Sequence, residues 1–310
     1  MNKIVFLDEY SIAGRNLDKI TSQGEYVAYE NTAKQDVVER LKDADIAITN
    51  KVLIDGDAMR QLPKLKLICV AATGMNNVDL EAAAAHGVEV RNAVGYSTYS
   101  VAETTIGSAI ALLREVVYYD EYFKSGRYAA ADYLFNYDRP TSQVRGKQWG
   151  VIGLGNIGRE VARLAEAFGC RVAYYSTSGV SREETYPRME LNELLATSDI
   201  VSIHCPLSDK TRNLIGREEF SLMKPTSIII NVARGGIIAE EALAEALDNG
   251  EIRGAALDVF SREPLRESPL YNIKDKYRLL ASPHNAWSAE ASLKRLIDCI
   301  VQNIKAYQAK

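Results

Sequence analysis

The sequence lacks the features that mark a membrane protein or a nucleic-acid-binding protein. No apolar run reaches the roughly 18 residues that a membrane-spanning helix needs. Lysine and arginine total 37 residues against 41 aspartates and glutamates, so the 310-residue chain has a formal net charge of -4 and no basic excess. We therefore expect neither a nucleic-acid partner nor a membrane partner.

Cysteine and histidine are also scarce. The cysteines, Cys69, Cys170, Cys205 and Cys299, lie far apart, and none forms a CxxC pair. This spacing predicts small buried thiols in a reducing compartment and indicates neither a disulfide framework nor a metal site. The apolar run within Met1–Asp8 is too short for a signal peptide. We expect a cytoplasmic protein with no bound metal.

Short apolar segments alternate with helical patterns along most of the chain. This alternation predicts an α/β protein with two doubly wound parallel sheets. In the first hundred residues the predicted strands are Lys3–Leu7, Ile46–Thr49, Lys66–Val70 and Val88–Arg91, and the predicted helices are Asp36–Lys42, Ile54–Leu62 and Asp79–His86. The later predicted strands are Gln148–Ile152, Arg171–Tyr175, Ile200–Ile203, Ser227–Asn231, Gly254–Leu257 and Leu279–Ser282.

Two longer helical patterns connect the two series. One predicts a single helix over Ser100–Gly126, and the other predicts a helix over Ala289–Gln308. We interpret them as the crossings between two domains. The second domain, residues 99–285, is then inserted into a first domain made of residues 1–98 and 286–310.

The segment GLGNIG, residues 153–158, stands between a predicted strand and a predicted helix. In that context a GxGxxG pattern predicts dinucleotide binding. The first glycine permits a tight turn, the second lets the backbone approach a pyrophosphate, and the third lets helix and strand pack closely. The helix N-terminus adds free N–H groups and the positive end of a dipole. The cofactor-binding residues predicted here are Gly153, Gly155, Asn156, Ile157 and Gly158.

Three polar residues, Arg234, Glu263 and His284, follow the ends of later predicted strands. Ligands of an open parallel sheet bind outside the carboxyl ends of its strands. A histidinium can protonate the alkoxide that hydride transfer to a ketone leaves, and a neighbouring carboxylate can orient that histidine and favour its charged form. An arginine can bind the carboxylate of a 2-keto acid through two parallel hydrogen bonds. Together these residues predict a nicotinamide-dependent dehydrogenase with three catalytic residues.

Four motifs resemble those of the D-isomer-specific 2-hydroxyacid dehydrogenase family, and the resemblance covers nearly the whole chain. They are GLGNIG at 153–158, VSIHCPL at 201–207, NVARGG at 231–236 and SPH at 282–284. The resemblance implies a Rossmann cofactor domain inserted into a flavodoxin-like substrate domain. It also implies that Arg234 anchors the substrate, that His284 is the acid and base, and that Glu263 is the partner of His284.

The same resemblance implies further binding residues. For the cofactor they are Cys205, Pro206, Ala233 and Asp258, with Asp258 near the carboxamide. For the substrate they are Thr73, Gly74 and Met75, in a loop whose N–H groups hold the carboxylate, with Lys51 as a second candidate at a strand end. His204 is expected to line the cofactor edge without a catalytic role.

Within the family, the segments ATG at 72–74, GYST at 95–98 and PHNAW at 283–287 most resemble glycerate dehydrogenases, also called hydroxypyruvate reductases. The expected reaction is reversible reduction of hydroxypyruvate or glyoxylate to D-glycerate or glycolate. D-lactate-type and other 2-keto acid reductases of the family share the catalytic residues and stay open as alternatives. Thr104 departs from the histidine that many members have there. The non-enzymatic alternative is nucleotide sensing, as in transcriptional corepressors of this fold.

The sequence leaves the choice between NAD(H) and NADP(H) open. NAD enzymes usually end the second strand of the fingerprint unit with an acid that binds the ribose 2′-hydroxyl. Ser176 holds that place here and is followed by Thr177 and Ser178, with Arg182 close in sequence. Hydroxyl groups do not repel a 2′-phosphate, so this pattern allows both cofactors and leans slightly to NADP(H).

The segment Arg127–Lys147 has no clear helix or strand period. Its large apolar residues are Tyr128, Tyr133, Leu134, Phe135 and Tyr137. So many of them on a free loop would form an exposed patch. The family resemblance implies an arm packed on a partner subunit, and we therefore expect a homodimer.

Overall fold

The computed structural model of the chain describes residues 1–12, 15–179 and 184–310. The chain divides into two compact units, and the second is inserted into the first. The first unit consists of residues 1–97 and 288–310, and the second unit is residues 98–287. The crossings therefore fall one residue before and two residues after the expected positions.

The first unit contains a five-stranded parallel sheet with the strand order β2-β1-β3-β4-β5. Its strands are β1 (Lys3–Phe6), β2 (Glu25–Ala28), β3 (Ile46–Thr49), β4 (Leu67–Val70) and β5 (Glu89–Asn92). Its α-helices are α1 (Asp18–Thr21), α2 (Val37–Leu41), α3 (Gly56–Met59), α4 (Leu80–Ala85) and α11 (Glu290–Gln308). This order, 2-1-3-4-5, is that of flavodoxin-like sheets.

Strand β2 is missing from the strands that the sequence predicts. It lies at the edge of the sheet, and none of its four residues is buried. The three strands β1, β3 and β4 are buried along almost their whole length, which is why their apolar runs are visible in the sequence.

The second unit contains a six-stranded parallel sheet with the order β11-β10-β9-β8-β6-β7. Its strands are β6 (Gln148–Ile152), β7 (Arg171–Tyr175), β8 (Ile200–Ile203), β9 (Ile228–Asn231), β10 (Gly254–Leu257) and β11 (Leu279–Ala281). Its α-helices are α5 (Thr98–Leu113), α6 (Val116–Lys124), α7 (Asn156–Ala167), α8 (Leu191–Thr197), α9 (Arg217–Leu222) and α10 (Glu240–Asn249).

A single parallel bridge between Tyr174 and Arg188 extends this sheet beyond β7. We number the strands of this unit in chain order, so that β6 is strand 1, β7 is strand 2, the bridge at Arg188 is strand 3 and β8 is strand 4. The sheet order then begins 3-2-1-4-5-6, as in Rossmann sheets. Neighbouring residues of one strand enter different cores: Val151 packs with α5 and α7 residues, and Ile152 packs with residues of α8, α9 and α10. Helices therefore cover both faces, and the prediction of two doubly wound parallel sheets is confirmed.

The prediction of one continuous helix over Ser100–Gly126 is wrong. The helix breaks between α5 and α6 at Glu115, whose φ of 55° lies in the left-handed region. This residue is 8% exposed, and its carboxylate accepts hydrogen bonds from Arg139 at 2.5 Å and from Arg253 at 3.1 Å. Two arginines that are distant in sequence thus stabilise a left-handed backbone conformation that residues other than glycine rarely adopt.

None of the helices in the described parts of the chain combines the length and the apolar character that crossing a membrane requires.

Candidate active site

The glycine-rich turn after β6 has little room for side chains at two of its three glycines. Gly153 has a φ of 93°, and a Cβ atom there would lie 2.8 Å from the Cys205 nitrogen. A Cβ atom on Gly158 would lie 2.2 Å from the Gly153 oxygen. Gly155, the N-cap of α7, faces open space instead, with nothing within 4 Å of its ideal Cβ position. The turn therefore leaves free the position that a pyrophosphate needs.

A cleft of about 390 Å³ opens beside this turn, at the carboxyl ends of β6, β7 and β8. The sheet order reverses between β6 and β8, which is where open α/β sheets bind ligands. The cleft is lined by Gly153, Leu154, Gly155, Tyr174, Ser176, Thr177, Ser178, Glu184, His204, Cys205, Pro206, Ser208 and Lys210. Seven predicted cofactor residues lie in this wall, and Asn156, Ile157 and Gly158 form the first turn of α7 behind it.

Glu184 is a cleft residue that sequence analysis missed. Its side chain is 12% exposed and pairs with the guanidinium of Arg159, in the first turns of α7. An acid therefore lines the cleft from outside the expected strand end. No sequence signal marks it, because it lies eight positions after Ser176 in an irregular segment. Arg182, the other charged residue considered for this place, lies outside the described residues.

The imidazole of His204 also lines the cleft. Both ring nitrogens are buried and have no hydrogen-bond partner among the described residues. Burial lowers the pKa of His204 to about 3, so the ring is neutral at physiological pH and cannot serve as the proton donor. The two ring nitrogens are therefore available for hydrogen bonds with polar groups of a nucleotide bound in this cleft.

Arg234 stands on the loop that follows β9. The Asn231 side chain shapes this loop, since it accepts from the Ala233 nitrogen at 3.0 Å and donates to the Arg234 oxygen at 2.9 Å. The guanidinium of Arg234 donates to the Ala233 oxygen at 2.7 Å. A Cβ atom on Gly235 would lie only 1.8 Å from the Phe260 oxygen. The loop after β9 and the loop after β10 are therefore in direct backbone contact.

Glu263 and His284 form a hydrogen-bonded pair. Oε2 of Glu263 lies 2.6 Å from Nδ1 of His284, and Oε1 accepts from the Phe260 nitrogen at 3.0 Å. The two side chains are 33% and 23% exposed, so the pair is accessible to a small molecule. The carboxylate is fixed at both oxygens and so fixes the imidazole in turn. Because Nδ1 faces Glu263, Nε2 is the nitrogen left for a substrate.

Asp258 holds the backbone around His284. Its carboxylate is 2% exposed and accepts from the Ser282 hydroxyl at 2.5 Å and from the nitrogens of Asn285 and Ala286 at 2.9 and 3.0 Å. His284 has a φ of 54°, and its nitrogen donates to the Asp258 oxygen at 2.8 Å. Burial raises the pKa of Asp258, against the effect of these hydrogen bonds. The residue therefore builds the turn that presents the histidine.

A second cleft, also about 390 Å³, lies next to Asp258. It is lined by one face of α5 and by the ends of β10 and β11. Its lining residues are Thr104, Gly107, Ser108, Ala111, Val232, Ala256, Leu257, Asp258, Leu280, Ala281, Ser282 and Asn285. Thr104, the departure from the family pattern, is one of them.

The predicted substrate residues of the first unit follow β3 and β4. Thr73, Gly74 and Met75 come after β4, where the Thr73 hydroxyl donates to the Ala93 oxygen at 3.1 Å. Lys51 follows β3. Both segments therefore lie at the carboxyl edge of the first sheet.

Residues 106–286 match the protein-family model described as "D-isomer specific 2-hydroxyacid dehydrogenase, NAD binding domain". The chain belongs to this family. It is 36% identical to the glycerate dehydrogenase of Methylorubrum extorquens over 99% of this chain and 96% of that one. It is 33% identical to the hydroxypyruvate reductase of Blautia hydrogenotrophica over 98% and 96% of the two chains.

A solved protein structure has a similar fold over the whole chain. It is the NADPH-dependent glyoxylate/hydroxypyruvate reductase of Sinorhizobium meliloti, crystallised with NADP and malonate. The two chains superpose with a TM-score of 0.86 at 28% identity, covering 100% of this chain and 94% of that one. The family expected from the four sequence motifs is confirmed.

Proposed function

We propose that this protein is an NAD(P)H-dependent reductase of small 2-keto acids, acting on hydroxypyruvate or glyoxylate to give D-glycerate or glycolate. The Glu263–His284 pair carries the proposal. A carboxylate fixed at both oxygens holds an accessible imidazole at 2.6 Å, in the same unit as a dinucleotide cleft. The names of the two relatives at 36% and 33% identity support the substrate class.

The chemistry divides between cofactor and protein. A nicotinamide bound in the cleft would supply the hydride that reduces the keto carbon. His284 donates a proton from Nε2 to the keto oxygen, so that 2-keto acid, NAD(P)H and one proton become 2-hydroxy acid and NAD(P)⁺. Glu263 keeps the ring oriented through its hydrogen bond to Nδ1. In the oxidative direction the neutral ring accepts the same proton.

We propose that cationic side chains and backbone N–H groups bind the substrate carboxylate. Arg234 offers two N–H donors in a fork that matches a carboxylate. We propose that Thr73, Gly74 and Met75 contribute backbone N–H groups and that Lys51 contributes positive charge. We propose that Ala233 and Asp258 contact the nicotinamide end of the cofactor. The Asp258 carboxylate accepts three hydrogen bonds within the protein and keeps capacity for one more donor.

We propose that the cleft accepts NADP(H) as well as NAD(H). Support comes from the hydroxyls of Ser176, Thr177 and Ser178 in the cleft wall and from Lys210 on the same wall. The Arg159 guanidinium compensates the charge of Glu184, an acid among the described residues that line the cleft.

The decisive experiment is a panel of kcat/KM values for hydroxypyruvate, glyoxylate and pyruvate, each with NADH and with NADPH. We expect turnover with the first two keto acids to exceed that with pyruvate. A higher value for pyruvate would favour the D-lactate-type alternative. No turnover with any 2-keto acid, together with tight binding of the nucleotide, would favour the nucleotide-sensing alternative.

We propose a homodimer. In the arm at residues 127–147 the side chains of Tyr133, Leu134, Phe135 and Tyr137 are 68% to 83% exposed, and exposed apolar patches mark interaction surfaces. The apolar walls of the cleft beside α5 offer a place for such side chains on a second copy, and an isologous dimer would bury both arms at once. Light scattering should give twice the chain mass of 34.3 kDa. A mass of one chain at micromolar concentration would contradict the proposal.

We also propose a cytoplasmic location. Cys69, Cys170, Cys205 and Cys299 are all free thiols, which suits a reducing compartment. Cell fractionation with an antibody against the chain tests this proposal.

A further inference from the structure

The sheet of the first unit has its own topological switch point. In the order β2-β1-β3-β4-β5 the connections leave β1 and β3 in opposite directions, and a crevice forms outside the carboxyl ends of these two strands. Asp8 follows β1 there, and Asn50 follows β3. In open α/β sheets this is the position at which ligands bind.

The Asp8 carboxylate fills this crevice. The residue is fully buried, and its two oxygens accept from three successive backbone nitrogens: Asn50 at 2.8 Å, Lys51 at 2.6 Å and Val52 at 3.3 Å. Successive N–H groups that converge in this way form a concave anion site. The anion that this site holds is a side chain of the same sheet.

Two opposing effects act on the pKa of the buried Asp8 carboxyl. Burial raises the pKa of the Asp8 carboxyl, and the three backbone hydrogen bonds and the charge of Lys51 act in the opposite direction. A buried carboxylate without those donors would be costly. The carboxylate and the 50–52 backbone therefore hold each other in place.

The segment fixed by Asp8 is linked to the next loop. The Val52 oxygen accepts from the Thr49 hydroxyl and from the Asn77 side chain, both at 3.1 Å. The Ile54 nitrogen donates to the Asn77 oxygen at 2.9 Å. Asn77 ends the loop that begins at Thr73. The two segments to which the proposed function assigns substrate binding are thus joined by hydrogen bonds that start at Asp8.

We propose that Asp8 is a positioning residue for substrate binding: its carboxylate occupies an internal anion site and sets the backbone of Lys51 and, through Val52 and Asn77, the loop at Thr73–Met75. This inference rests on the proposed function, because it concerns the segments assigned there to the keto acid. Asp8 itself does not contact the substrate in this scheme.

The test uses Asp8→Ala and the conservative Asp8→Asn in the full chain. The matched control is Asp45→Ala, because Asp45 also binds a backbone nitrogen, that of Lys3 at 2.8 Å, but at the amino end of β1. Asp8→Ala should raise KM for the keto acid by about tenfold or more, the usual scale for leaving buried donors unpaired. KM for the cofactor should stay within about twofold. Asp8→Asn, which keeps one acceptor oxygen, should give an intermediate KM, and Asp45→Ala should change neither value.

Formate is the second probe, since a small carboxylate can enter the space that Asp8→Ala leaves. Because formate also competes with a keto acid, each measurement is divided by that of the unaltered protein at the same formate concentration. The ratio of the keto-acid KM of Asp8→Ala to that of the unaltered protein should fall toward one as formate is added. The same ratio for Asp45→Ala should stay constant. An unchanged KM in Asp8→Ala, or an increase that formate does not reverse, would overturn the proposal.

Amide hydrogen exchange separates this inference from the proposed function. Exchange at residues 50–52 should accelerate at least about tenfold in Asp8→Ala and slow again with formate, whether or not the protein turns over a keto acid. If Asp8→Ala does not fold, the same measurement on Asp8→Asn decides. Unaltered exchange at 50–52 refutes the positioning role, and absence of turnover in the unaltered protein refutes only the proposed function.

Discussion

Ser176→Asp should shift cofactor preference toward NAD(H). Ser176 follows β7, is half-buried and lines the nucleotide cleft, so a carboxylate there would face the ribose. It could accept a hydrogen bond from a 2′-hydroxyl but would repel a 2′-phosphate. Glu184, an acid among the described residues that line the same cleft, has its charge compensated by Arg159. The substitution adds a further negative charge to this wall.

Like charges about 4 Å apart repel by roughly 1 kcal/mol in water and about 4 kcal/mol near a protein surface. The cleft is open to solvent, so we take a value near 1.4 kcal/mol, or about tenfold in a rate ratio. The ratio of kcat/KM with NADPH to kcat/KM with NADH should therefore fall at least about tenfold.

The control is Ser176→Asn, which has almost the shape of the aspartate without its charge. Steady-state assays with one keto acid and both cofactors measure all three proteins. If the aspartate and asparagine variants change the ratio equally, the effect is steric and the electrostatic argument is wrong. If neither changes it, Ser176 does not face the 2′ position.

Four further outcomes are expected. His284→Ala should remove most turnover while the dissociation constant for NADPH, followed by its fluorescence, stays within about twofold; a large loss of nucleotide binding would contradict the separation of the two sites. Glu263→Gln should lower kcat for reduction by about tenfold or more with little change in nucleotide affinity, because the ring loses its charged partner; an unchanged kcat would remove Glu263 from the mechanism. Since burial lowers the pKa of His204 to about 3, His204→Gln should leave the shape of the pH–rate profile between about pH 5 and 9 unaltered, and a lost limb would show that this ring titrates there. Gly158→Ala should lower the free energy of unfolding by about 1–3 kcal/mol because its Cβ would meet the Gly153 oxygen, whereas Gly155→Ala should keep the Tm and weaken nucleotide binding; equal Tm values for the two would refute the packing argument.

The sequence predicts the central strands of both sheets from their apolar runs. Strands β3, β4, β8, β9 and β10 are buried at every residue, because both faces of each sheet are covered. Strand β2 lies at an edge with all four residues at least partly exposed and is missed, although β5 and β11, which also have no buried residue, are predicted. Its pairing with β1 is a property of the assembled sheet that the local composition does not reveal.

The break at Glu115 was unpredictable for a different reason. The apolar spacing continues across it, and the partners that stabilise the left-handed backbone, Arg139 and Arg253, lie 24 and 138 positions away. The family resemblance implies Asp258 as a cofactor residue but does not reveal its contacts with Ser282, Asn285 and Ala286, which span 24 to 28 positions. Motifs identified the residues proposed for chemistry, but not the hydrogen bonds by which buried carboxylates hold the backbone around them.

The close approach of Gly235 to the Phe260 oxygen has a consequence for how such an enzyme can diverge. At Gly235 no side chain fits between the loop that carries Arg234 and the loop that carries Glu263. A change in the length or path of one loop at this contact would therefore displace the other. Changes of substrate are therefore expected to accumulate elsewhere, in segments that touch the ligand without sharing this seam. A collection of variants selected for a new keto acid should leave position 235 as glycine while the side chain at position 75 changes, since the contact proposed for Met75 is made by its backbone.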